Sequence, residues 1–303
     1  MGKLTIVTYH YVRPIAGSAG PRVNGLELDD FIKQLDYFAT RYHFVSVDAV
    51  HSKIYSGKKL PQNPLLLTFD DGYIDHYQYV YPELLKRSIT GAFFPVVQSS
   101  VHQSMLDVNK IHLILASDVT SDLLIDTIER NILPSAIDFY RKKYFYKNEW
   151  DGKEIAYIKR LLQFGLPEKM RHSLLDLLFA ELVSSNEAEY AKAFYMNIDQ
   201  MREMSVNGMH IGSHTASHRR LSLLTGDELE SEIVLSLALL NKVNRHEIST
   251  ICYPHGDYNR ETLACLPKHG VSLGFSLKKG VVDFSHCNPL ELERFDTNDM
   301  RFI

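Results

Sequence analysis

The chain has 303 residues, 45% hydrophobic and 23% charged, enough for one barrel-sized core plus an elaboration, and it has no run of about eighteen apolar residues to span a membrane. A formal charge of −4 and a pI near 6.4 offer no bulk attraction for nucleic acid or an anionic surface, so no nucleic-acid partner is expected. The three cysteines, Cys252, Cys265 and Cys287, neither make a complete set of pairs nor show ligand spacing, and the N-terminus lacks the pattern of a signal peptide; the expected location is cytoplasmic.

In chain order, Leu4 to Tyr9 reads as a buried strand ending at His10. Leu28, Phe31, Leu35 and Phe38 recur at helical spacing, and Phe44-Val45-Ser46-Val47 reads as a second strand. Further strand-like runs follow at Leu65, Ala92, Met209, Ile251 and Leu273. Before the last two, Thr225-Gly226-Asp227-Glu228 opens a helix whose Leu229, Ile233, Leu237 and Leu240 form an apolar stripe. Strands alternating with helices predict an α/β fold, a closed or nearly closed parallel barrel with its chemistry at the C-terminal strand ends. Residues 99–197 break the alternation. Helical patterns at 122–130, 136–144 and 154–164, then a stripe of Leu174, Leu177, Leu178 and Leu182, predict a helical insertion between barrel segments 1–98 and 198–303, placed to act as a lid or substrate selector. Within it, the basic and aromatic run Phe139 to Lys147 reads as an amphipathic helix with solvated lysines, and as a surface for a sugar, a diphosphate or a lipid interface in the alternative.

Two separated segments carry the chemistry. Leu65-Leu66-Leu67 leads into Thr68-Phe69-Asp70-Asp71-Gly72, and Met209 to Ser213 leads into His214-Thr215-Ala216-Ser217-His218. Either alone is unremarkable: Asp-Asp-Gly is commonly a turn, and histidines four apart are commonly a solvated or core pair. Together they supply a one-carboxylate, two-imidazole metal site with open positions, and a second carboxylate beside it as general base. That combination points to hydrolysis, in which a bound divalent metal lowers the pKa of water and polarises a carbonyl oxygen.

These segments resemble the hallmark motifs of the polysaccharide deacetylases, carbohydrate esterase family 4. Gly91-Ala92-Phe93-Phe94-Pro95, Arg202-Glu203-Met204 with Gly208 and Gly212, and Tyr253-Pro254-His255-Gly256-Asp257-Tyr258 agree with that resemblance. It implies a distorted (β/α)7-type barrel, here with a helical insertion, in which Asp70 is the catalytic base and Asp71, His214 and His218 bind the metal, with zinc the default. Two departures stand out. Cys252 occupies the position where most members have an arginine that orients the base, and Arg294 is the candidate substitute. No leucine-x-histidine segment supplies a general acid after Cys252, and His286 has the wrong surroundings. His10, in Tyr9-His10-Tyr11-Val12, resembles the opening Tyr-His-x-Val segment of the subgroup containing poly-N-acetylglucosamine deacetylases, where the motif order is permuted; His10 is then the candidate acid. The other reading of His10 is a strand-end histidine satisfied by a backbone carbonyl.

The function expected is removal of N-acetyl groups from an amino sugar. Asp70 takes the proton of the attacking water, His10 protonates the leaving amine, and His255 lies in the substrate-binding third motif, near which a backbone N–H supports the oxyanion. The expected partner is an N-acetylated sugar or oligosaccharide, with a nucleotide- or lipid-linked intermediate of surface-polysaccharide assembly as the narrower expectation. Two alternatives stay open: hydrolysis of another amide such as a formamide, and a catalytically silent sugar-binding or scaffold protein, which the missing arginine at Cys252 favours and the intact Asp70 beside a metal set disfavours.

Overall fold

The computed structural model describes residues 2–15, 25–149, 151–240, 242–244 and 247–299. They fall into two compact units, one made of 2–15, 25–103 and 192–299 and the other of Ser104–Ala191.

The first unit contains eleven strands: β1 (Lys3–Tyr9), β2 (Val12–Arg13), β3 (Leu26–Glu27), β4 (His43–Phe44), β5 (Pro64–Asp71), β6 (Gly91–Pro95), β7 (His210–Ile211), β8 (Ser249–Cys252), β9 (Val271–Phe275), β10 (Val282–Asp283) and β11 (Phe295–Asp296). The pairings run round in a ring. Parallel ladders join β1 to β5, β5 to β6 and β6 to β7. Ser213, just past β7, bridges to Ile251 of β8, with Cys252 N–H donating to the Ser213 carbonyl at 2.8 Å. β8 pairs with β9, Phe275 bridges to Leu292, and β11 returns to β1 through Val7 and Phe295. Seven parallel strands thus enclose the centre, as the (β/α)7 expectation requires, and their C-terminal ends open on one side.

Burial explains the strand compositions. Every residue of β5 is buried, which is why Leu65 to Leu67 is apolar without alternation: helices cover the outside while the barrel fills the inside. Outside, helix Leu28–Ala39 buries Phe31, Leu35 and Phe38 against β1 and β5 side chains in one cluster with Val7, Leu67 and Phe69. Helix Gly226–Leu240 buries its predicted stripe, Leu229, Ile233, Leu237 and Leu240, together with the polar Glu232 and Ser236. Gly212 admits no side chain, since a Cβ there would overlap Thr250 and Phe94.

One predicted strand is corrected. Only His43–Phe44 pairs with β5, and the chain turns at Ser46, whose hydroxyl caps helix Val47–Ser56 by accepting from the Ala49 N–H at 3.2 Å. The N-cap overrode the β-branched run, because its side chain satisfies an otherwise orphaned helix donor.

The second unit is helical: Asp107–Leu115, Ser121–Arg130, Pro134–Tyr144, Lys153–Arg160, Glu168–Leu182 and, at its edge, Glu187–Phe194. Helices matching the four predicted patterns are present, and Asp107–Leu115 is a further helix outside those patterns. Inside this unit Lys110 is held by Asp176 and Glu187 at 2.6 and 2.8 Å. In the basic and aromatic run, Arg141 pairs with Glu129 at 2.8 Å and Lys143 lies over the Phe139 and Tyr144 rings.

Candidate active site

β5 delivers its two acids to one end of the barrel, and the backbone makes them diverge. Asp70 is in extended register opposite Phe94 of β6, whereas Asp71 has a φ of +71°, the left-handed region in which few side chains sit. Gly72 continues that turn at φ +74°, and a Cβ on it would run into Pro95. The two carboxylates therefore face different partners.

Asp70 faces Arg294. The guanidinium donates from two nitrogens, to Oδ1 at 2.9 Å and Oδ2 at 2.8 Å, in a pair whose side chains are 0% and 2% exposed. The remaining donors of Arg294 go to the Ser276 carbonyl, the Thr68 hydroxyl and the Cys252 sulfur at 2.9, 3.1 and 3.0 Å. Thr8 and Cys252 also donate to Asp70 Oδ2, at 3.2 and 3.3 Å. Burial alone would raise the Asp70 pKa, but the charge and hydrogen bonds of Arg294 outweigh it and hold the carboxyl well below its usual range. In the same way Asp70 holds Arg294 firmly protonated against its burial. Cys252 thus leaves room for an arginine arriving from the other end of the chain.

Asp71 faces the two histidines. His214 Nε2 and His218 Nε2 lie 3.3 and 3.4 Å from Asp71 Oδ1, and the Tyr73 hydroxyl donates to Oδ2 at 2.6 Å. His214 Nδ1 donates to the Cys252 carbonyl at 2.8 Å, which turns Nε2 toward the carboxylate. Burial would lower the His214 pKa, yet Cys252 and Asp71 together push it well above its ordinary value, whereas at His218 burial wins and the pKa falls. A divalent cation held by Asp71, His214 and His218 would bring positive charge to this point in place of a proton on His214. Ligand atoms of Asp71, His214 and His218 all lie within 4.8 Å of one another, so this set fits a metal. Asp70, His214 and Cys252 form a second such group, but Arg294 occupies both Asp70 and Cys252 and repels a cation there.

The histidine loop is built to be rigid. Glu232, on helix Gly226–Leu240, accepts from the Ala216 N–H at 3.1 Å, the Ser217 N–H at 2.9 Å and the Ser217 hydroxyl. Ser213 Oγ meets Ser236 Oγ at 2.6 Å, and Thr215 and His218 adopt φ of +67° and +61°. A carboxylate on the apolar stripe of that helix was the available sign of Glu232.

His10 follows the last residue of β1 on the same side, half-buried and within electrostatic reach of both Asp70 and Asp71. The ring of His255 lies 4.6 Å from that of His218, in a segment where His255 itself has φ +58°. Asp70, Asp71, His214, His218, His255, His10 and Arg294 are thereby gathered at one end of the barrel. Tyr73, Thr8, Ser276, Glu232 and His76 complete their surroundings and belong to none of the sequence motifs.

Fold and site define the class: a parallel-barrel protein whose strand ends assemble a one-carboxylate, two-histidine site beside an arginine-held aspartate. A family model described as polysaccharide deacetylase matches residues 181–274, which contain the histidine segment and the third motif. YxkH of Bacillus subtilis strain 168, which carries a polysaccharide deacetylase name, is 23% identical over 278 residues; the match spans 92% of this chain and 66% of that relative, so the chain spans slightly less than two thirds of its length. Among solved structures, the Streptococcus pyogenes deacetylase PplD in complex with acetate aligns at TM-score 0.62 with 19% identity, over 97% of this chain and 92% of that one. IcaB from Ammonifex degensii aligns at 0.56 with 18% identity over 97% and 91%, and the de-N-acetylase from Aggregatibacter actinomycetemcomitans at 0.58 with 15% identity over 96% and 94%. The structural likenesses bear on the fold, and the resemblance of the motifs to the polysaccharide deacetylases is borne out. Among the described residues, no helix is long and apolar enough to cross a membrane.

Proposed function

We propose that this chain is a metal-dependent hydrolase that removes N-acetyl groups from an amino sugar in a saccharide, with zinc as its metal. The observation that carries this reading is the adjacency of two differently prepared carboxylates: Asp70, kept ionised by Arg294, and Asp71, shared by two imidazoles. A binding-only protein has no use for the first beside the second. Two imidazoles and one carboxylate suit zinc.

A divalent metal at Asp71, His214 and His218 would supply Lewis acidity toward a carbonyl oxygen and a lowered pKa for water beside it. Asp70 takes one proton from the attacking water as its oxygen bonds to the acetamide carbon. His10 gives a proton to the sugar nitrogen as the C–N bond breaks, so the products are acetate and the free amine. We assign His255, whose ring lies 4.6 Å from that of His218, to receiving the rest of the sugar. The helical unit Ser104–Ala191 fits a substrate selector, because the barrel segments that lead into and out of it are tied to the catalytic motifs: Gln98 N–H donates to the Ala216 carbonyl at 2.8 Å, and Met196 N–H to the Gly72 carbonyl at 2.9 Å. A nucleotide- or lipid-linked sugar of surface-polysaccharide assembly is the substrate class we favour.

The test is metal content of the purified protein together with acetate release from a panel of N-acetylated sugars. Metal with acetate release supports the reading, metal without acetate moves it to another acyl group, and no metal after reconstitution brings the silent scaffold forward. Two variants sharpen it. His10→Ala is expected to keep its metal and lose ~10²–10⁴ in amide turnover, and wild-type turnover would remove His10 as the acid. Glu232→Ala frees the loop that aims both imidazoles, so metal affinity measured by competition with a chelator is expected to fall about 10- to 100-fold.

A further inference from the structure

His76 is a fully buried histidine that the proposed mechanism does not use. It opens a π-helical turn, His76–Val80, directly after the segment that carries Asp70 and Asp71. Its ring is walled by Phe69, Tyr73 and Phe93, with centroids 5.6, 5.6 and 5.9 Å away. Nε2 lies 2.7 Å from the carbonyl oxygen of His10. A carbonyl only accepts, so Nε2 carries the proton, and Nδ1 is then bare; it has no hydrogen-bond partner. Burial pushes the pKa of His76 down to about 4, which keeps the ring neutral and this tautomer in place.

Neighbouring contacts act on the same stretch of backbone. Asp75 accepts from Arg13 Nε at 2.7 Å, and Tyr11 stacks on Tyr73 at 4.1 Å. Residues 10 to 13 are thus strapped down by residues 73 to 76. His10 lies just past the last residue of β1, and the hydrogen bond from His76 is made at its carbonyl.

We propose that His76 is a positioning residue: by donating to the His10 carbonyl it fixes the peptide that aims the His10 imidazole at the leaving nitrogen. This rests on His10 being the proton donor of the reaction. A histidine is suited to the task because it reaches the carbonyl across an aromatic wall while presenting no charge to Asp70 and Asp71. The signature of lost aim is selective, since an amine must be protonated as it leaves and 4-nitrophenolate need not be.

The experiment compares deacetylation of an N-acetylglucosamine trimer with hydrolysis of 4-nitrophenyl acetate in wild type, His76→Phe, His76→Gln, His10→Ala and the double variant. His76→Phe is expected to lower kcat on the amide about 10- to 100-fold at unchanged KM while the ester rate falls at most about threefold. His76→Gln, which can still present an N–H, recovers most of the loss, and His76→Phe adds nothing in the His10→Ala background. Should His76→Phe fail to fold, His76→Met fills the same space without a donor and carries the comparison. Equal losses on amide and ester, or an additive double variant, would overturn the inference and make His76 a packing residue. If His10→Ala loses the amide reaction and His76→Phe does not, the inference alone fails; if His10→Ala loses nothing, the acid assignment falls and takes the inference with it.

Discussion

His214→Ala is expected to leave the protein without bound metal at stoichiometric loading and with less residual acetate release than any single loss of a proton carrier. The reason lies in how little slack the site has. His214 is aimed by the Cys252 carbonyl on one side and meets Asp71 on the other, and the remaining donors, Asp71 and His218, are two of the three or four that such an ion requires. Removing a base or an acid costs ~10²–10⁴, whereas removing the ligand removes nucleophile activation and oxyanion support together. Metal content by elemental analysis and acetate release on the same preparation check this. Full metal retention in His214→Ala would show that the ion sits elsewhere.

Asp70→Asn is expected to separate from that variant by keeping its metal while losing ~10²–10⁴ in turnover, because an amide cannot take a proton from water. It is also expected to destabilise the fold. The variant leaves Arg294, with a fully buried side chain, carrying a charge that nothing balances, and breaking a buried pair in this way costs about 3–5 kcal/mol. The pH dependence has a definite sign. Burial would raise Asp70, Arg294 more than offsets it, and the folded-state value lies below the unfolded one of about 3.9. A carboxylate depressed by folding stabilises the protein above its unfolded pKa and loses that contribution as pH falls through the folded one. Denaturation midpoints of wild type and Asp70→Asn should therefore differ fully at neutral pH and converge progressively below about pH 4. A constant difference down to acid pH would mean that the pair contributes by shape and not by charge.

Much of the site could be read before the structure because its parts are local. An apolar run ending in Thr68-Phe69-Asp70-Asp71-Gly72 places two carboxylates at a strand end whatever the rest of the chain does, since strand geometry and a glycine turn need only neighbouring residues. The same holds for His214 and His218, four residues apart after a short buried strand. His10 at the end of β1 and the apolar stripe of helix Gly226–Leu240 were equally visible. The strand expected at Phe44 to Val47 is cut short at its C-terminal end for the converse reason: a single serine cap at Ser46 decided between two local conformations, and apolar periodicity does not register it.

What the sequence determined by itself, then, is the chemical inventory and the strand ends that bear it, because period, capping and turn chemistry act over a few residues. Which residues meet was decided by closing the ring. Arg294 reaches Asp70 across 224 positions, Glu232 braces a loop on another element, and His76 grips the carbonyl of His10 from 66 residues away. The left-handed turns at Asp71 and His218 belong to the same category, since a non-glycine residue holds such a conformation only when its surroundings over-determine it. Partner choice at that range depends on which strands lie side by side around the barrel, and no local spacing in the chain encodes that adjacency.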